Sequence, residues 1–166
     1  IDRKGMGKVR YDYVYSGPQM PTREAGLLFG LTSACDEVQW NRWSEWGDVF
    51  PVDSILRAKG SAKAFRGPAR VPDPGGVRPS WPWSQDQTEL GTADFRSVRF
   101  NIYETALAAP DGTGVRVHAK GDVHVRPCLA DQGTLMHVLS RCTFADEPVK
   151  KGDRLSGQYV IELIRR

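Results

Sequence analysis

The sequence predicts an all-β protein, a large antiparallel β-sandwich with long loops. Three observations carry that expectation. Apolar and polar residues alternate with period two in segment after segment. Clusters rich in Gly, Pro and Asp separate those segments. No amphipathic stretch longer than two helical turns is present. Several short strands with turn signals between them point to a sandwich.

Lys8 to Tyr15 is the clearest strand. Val9, Tyr11, Tyr13 and Tyr15 share one face, and Lys8, Arg10 and Asp12 the other. Gly17-Pro18 ends it. Glu24 to Leu31 is a short apolar run suited to a second strand. Glu37 to Trp43 is a third, with Val38, Trp40 and Arg42 facing one way. From Gly47 to Asp94 the character changes. Pro51, Pro68, Pro72, Pro74, Pro79 and Pro82 remove ladder donors, so most of this stretch is expected to be loop. Long loops inside compact domains are commonly functional, and Trp81 and Trp83 argue for order in its second half.

Strands resume with Arg96 to Leu107, rich in Val, Phe, Ile and Tyr. Pro110 to Gly114 is a turn. Val115 to Ala119 follows, with Val115 and Val117 on one face. Gly121-Asp122 turns again. Val123 to Leu129 alternates Val123 and Val125 against His124 and Arg126, and its Pro127 predicts an edge strand or an early end. Thr134 to Phe144 suits a strand or a short helix. Lys150 to Asp153 is a turn, and Leu155 to Ile164 a closing strand.

Composition narrows the function classes. The 166 residues suit one domain with a real core. The 23 basic and 20 acidic side chains are interspersed, for a net charge of +3, which is a solvated surface and not the field of a nucleic-acid binder. No apolar run approaches the roughly 20 residues of a membrane span. The polar start Ile1-Asp2-Arg3-Lys4, without an initiator Met, reads as an excised fragment, so localisation stays open. Cys35, Cys128 and Cys142 form no CxxC pair. Three buried thiols, or one disulfide and one thiol, both fit that count.

Several stretches occur together in a familiar order. They are Arg23-Glu24-Ala25-Gly26-Leu27 leading to Val38-Gln39-Trp40, then Trp46 to Ala64 with Phe50-Pro51 and Lys59 to Ala64, then Arg78 to Asp86 with Trp81-Pro82-Trp83, then Glu89 to Ser97 and Asn101-Ile102-Tyr103. Over nearly its whole length the chain resembles the C-terminal domain of β-galactosidase-like enzymes of glycoside hydrolase family 2. The resemblance implies a supersandwich similar to the galactose mutarotase fold, and a single accessory domain over 1–166. It implies a partner too: the family's catalytic glutamates lie in a separate (β/α)₈ barrel, which needs about 250 residues and cannot fit here. A glycine-rich tryptophan segment that some members carry near their C-terminus has no counterpart in this sequence.

Candidate carbohydrate contacts follow from residue type. Sugars present flat C–H faces to aromatic rings and hydroxyls to polar neighbours. Trp43, Trp46, Trp81 and Trp83 lie on or beside expected loops, with Glu45 and Asp86 among them. The same rings are suited to plugging the sandwich or its interface with a barrel. Of the loop acids Glu45, Asp48, Asp53, Asp86, Glu89 and Asp94, none is assigned a catalytic role: with Arg42, Arg57 and Arg96 close by, they read as ion pairs and loop caps. His118 and His124 fall on the polar faces of strands, and His137 in an apolar run. No metal-ligand spacing, nucleophile triad or phosphate loop accompanies them, so no cofactor is expected. Two other readings remain: an independent carbohydrate-binding module, and a mutarotase-like sugar epimerase using His with a carboxylate.

Overall fold

The computed structural model describes residues 1–43, 59–64, 98–130 and 133–165. Among them are nine strands and no helix: β1 (Met6–Val14), β2 (Met20–Leu31), β3 (Glu37–Arg42), β4 (Lys59–Lys63), β5 (Ile102–Ala108), β6 (Gly114–His118), β7 (His124–Ala130), β8 (Gly133–Val149) and β9 (Arg154–Ile164). They form a six-stranded sheet, ordered β1-β9-β6-β5-β3-β4, and a three-stranded sheet, ordered β2-β8-β7. Every ladder is antiparallel. The two sheets pack together as the expected all-β sandwich.

The period-two patterns set which side chains enter the core. On β3, Val38, Trp40 and Arg42 are buried, as their alternation predicts. On β1, Val9 and Tyr11 pack against the core while Lys8, Arg10 and Asp12 stay exposed. Val117, Val125, Met136, Val138 and Tyr159 complete the filling from β6, β7, β8 and β9. Burying such side chains is the main favourable term, about 1.5–3 kcal/mol for each large one. The aromatics also use the ladder itself. Trp40 pairs across with Gly60, and a Cβ on Gly60 would strike the indole. Tyr11 pairs with Gly157 in the same way. In both places the missing side chain is the space the ring occupies.

Two expectations need revision, and one open choice is decided. Lys59–Lys63 lies inside the stretch read as loop, yet it is strand β4, paired with Glu37–Asn41 of β3. Its pattern is weak because only Ala62 is buried. The ladder and the Trp40 contact hold it, not its own periodicity. The Arg96–Leu107 segment is not one strand. Arg99 makes an isolated bridge to Val125 of the three-stranded sheet, whereas β5 begins at Ile102 in the other sheet. Between them Asn101 has φ 56°, the left-handed region that Asn tolerates better than most residues. The choice left open for Thr134–Phe144 falls to strand: it lies within the long strand β8.

Pro127 lies on β7, which is an edge strand, as its missing donor predicts. The other edges are also guarded. β4 carries Lys59 and Lys63, β1 carries Lys8 and Arg10, and β2 has Pro21 and register shifts on either side of the Glu24-Ala25 pair. Charge, proline and bulges are the usual devices against edge-to-edge association.

Candidate functional site

Of the residues expected to contact carbohydrate, Trp43 lies just past the end of β3. Its N–H donates to the Asn101 carbonyl at 2.9 Å, and its side chain is 49% exposed. Trp40 is different: it is 4% exposed, with the Arg99 guanidinium 4.3 Å from its ring centroid. That is a cation–π contact inside the core, so Trp40 is a structural residue. Glu45, Trp46, Trp81, Trp83 and Asp86 lie outside the described residues, and so does the order expected around Trp81 and Trp83.

The solvent face of the six-stranded sheet carries a polar square from β5, β6 and β9. Arg116 lies 3.6 Å from Glu104 and 3.3 Å from Glu162. His118 lies 2.9 Å from Glu162 and 3.6 Å from Glu104. The register explains this, since Glu104 opposes His118 and Arg116 opposes Glu162. The hydrogen bond from His118 holds the Glu162 carboxyl below its ordinary range; slight burial opposes this, and Arg116 adds to the lowering. A glycosidase acid needs the reverse, a carboxyl kept protonated near neutrality. Glu104 and Glu162 therefore read as a cross-strand ion-pair network. Beside it a polar hollow of about 420 Å³ is lined by Gln39, Asn41, Lys59, Ser61 and Glu104.

A second concavity, of about 430 Å³, opens where the end of β1 approaches β2, β8 and β7. Tyr13 and Tyr15 supply aromatic surface, and Met20, Leu28 and Leu155 supply aliphatic surface. Its polar lining includes Thr22, Glu24, Arg126 and His137. Arg126 donates to Glu24 Oε2 twice, from Nε at 3.1 Å and from Nη2 at 2.6 Å. The register shifts of β2 fall on either side of Glu24 and Ala25. Bulges of this kind re-aim side chains, often beside functional sites.

His137 Nε2 lies 3.3 Å from Cys128 Sγ. Burial, seconded by the Arg126 charge, lowers the imidazole's proton affinity, and burial raises the Cys128 thiol. Both shifts favour the neutral pair, in which one hydrogen bond joins Sγ and Nε2. A preformed thiolate–imidazolium pair needs the opposite shifts. All three cysteines are free, with Cys35 buried and the other two half-buried. Burial pushes Cys142 up to about 12.

No family model, curated protein or solved structure matches this chain. The chemistry of the described residues nevertheless limits the choices. None of their His, Cys, Asp and Glu side chains gather in threes that could hold a metal ion. No helix among them is long and apolar enough to cross a membrane. The sequence reading missed the Glu24–Arg126 pair. Its residues are 102 positions apart, and only the common β2-β8-β7 sheet brings them together. The one local hint was the chemistry of Tyr13 and Tyr15, read as a core face.

Proposed function

We propose that the chain is a non-catalytic accessory domain of a β-galactosidase-like glycoside hydrolase, which packs beside the catalytic barrel and helps shape the carbohydrate site. The ordered series of segments from Arg23-Glu24-Ala25-Gly26-Leu27 to Asn101-Ile102-Tyr103, now set on an all-β sandwich, supports this reading. The observation that carries it is the exposed indole of Trp43, placed at a strand end where a ring can stack on a sugar face. The non-catalytic part rests on Glu104 and Glu162, whose carboxylates are engaged by Arg116 and His118.

Two measurements test it. Incubated with a panel of aryl glycosides, the purified chain is expected to give no turnover. Turnover that survives purification and disappears when one carboxylate is changed would overturn the non-catalytic reading. In calorimetric titrations with neutral oligosaccharides, Trp43→Ala is expected to weaken any binding that involves the indole, because the apolar ring surface is lost. An unchanged affinity removes Trp43 from the site.

A further inference from the structure

We propose that the concavity between β1 and β2, floored by the Glu24–Arg126 pair, is a binding site for a neutral saccharide, separate from Trp43. The proposal rests on the carbohydrate reading above and assigns it a second place on the molecule. The volume of about 430 Å³ lies in the range of small-ligand sites, about 300–1,000 Å³, and is enough for one or two pyranose rings. Its walls combine flat apolar surface with a few polar groups. Tyr13, whose ring is stacked on Tyr11, and Tyr15 bring aromatic surface, while Leu28 and Met20, both exposed, add apolar surface.

The polar floor selects charge. Both bonds from Arg126 go to Oε2 of Glu24, so Oε1 has no hydrogen bond among the described residues and can accept from a hydroxyl. The ion pair has no net charge. Burial and then Arg126 hold the proton affinity of His137 below its ordinary value, against the opposing pull of Glu24, and the net shift favours the neutral ring. A phosphate or carboxylate ligand would find no unspent cation here, since the Arg126 guanidinium is already engaged by Glu24. A polyhydroxylated neutral ligand fits, since it can donate to the carboxylate while its ring stacks. The register shifts that bracket Glu24-Ala25 give the local reason why the carboxylate reaches Arg126 across the sheet.

The test uses the whole chain, saturation-transfer NMR and calorimetry, with lactose, cellobiose and maltose as probes and galacturonate as the anionic control. We expect millimolar binding of at least one neutral disaccharide and none of galacturonate. Leu28→Arg changes an exposed position and should leave the fold intact; it is expected to weaken binding roughly ten-fold or more by obstructing the rim. Tyr15→Ala should weaken it as well, while Trp43→Ala should leave binding at this place unchanged. Binding abolished by Trp43→Ala but untouched by Leu28→Arg and Tyr15→Ala overturns the concavity and keeps the carbohydrate reading. Preference for galacturonate overturns the charge argument and with it the proposal. If the wild type binds no neutral disaccharide, the concavity fails, while the accessory-domain reading is still judged by the turnover assay.

Discussion

The indole of Trp40 lies under the Arg99 guanidinium and across from Gly60, while the nearby Trp43 is half exposed. Their different surroundings make opposite predictions. Gly60→Ala pushes a methyl group into the Trp40 ring. It is expected to lower stability by about 1–3 kcal/mol, the usual range for overpacking, read as a fall in urea midpoint at constant slope. Trp43→Ala is expected to change that midpoint little. Titration adds a pH window. Burial lowers the proton affinity of His137 and His124 below the ordinary value of 6.5. His137 is faced by Cys128, Arg126 and Glu24, and His124 by Phe100, Asp122 and the Asn101 N–H. Below pH 6.5 the unfolded chain takes up protons that the folded chain resists, so stability falls with falling pH. Glu162, also lowered, extends the loss once pH drops under its ordinary 4.5. Cys128 and Cys142 act at the other end. Above their ordinary 9.0 the unfolded thiols ionise while the folded ones stay neutral, so stability falls again. Thermal unfolding followed across pH is expected to show a plateau between these limits. His137→Asn should shallow the acid limb; an unchanged limb would remove His137 from the account.

Most strands were legible because alternation is local. A half-buried ribbon with side chains on opposite faces must write period two into its own residues, and Val9-Tyr11-Tyr13 and Val38-Trp40-Arg42 do so. β4 was not legible. It is five residues long with Gly60 inside it and Ala62 as its one buried side chain, so its existence depends on β3. The division of Arg96–Leu107 was hidden for another reason. Both halves have strand character, and the break is one Asn with a left-handed backbone. Asn101→Val is therefore expected to cost about 1–2 kcal/mol, measured as a lower urea midpoint, while Asn101→Gly should cost far less. Equal effects would show that side-chain contacts, not φ, matter at that bend.

At the scale of the molecule, two antiparallel sheets share one core and the edge strands carry Lys, Pro or bulges. The far-ultraviolet circular dichroism spectrum is expected to be of β type; a helix-dominated spectrum would contradict the architecture. The candidate site was less legible than the fold. Trp43 could be named from its place beside an expected loop, and it is exposed just past the end of β3. Glu24 and Arg126 could not be paired in advance, because they are 102 residues apart and nothing near either one announces the other. The sequence by itself determined the all-β class, the turns and which side chains of most strands face inward, since those depend on spacing along a short stretch of chain. Only the tertiary structure decided that β4 is a strand, that the chain changes sheets at Asn101, and that Glu24, Arg126, His137 and two tyrosines line one concavity. Those outcomes depend on which strands become neighbours and in what register, and that is set by burial summed over the whole sandwich, not by any local pattern.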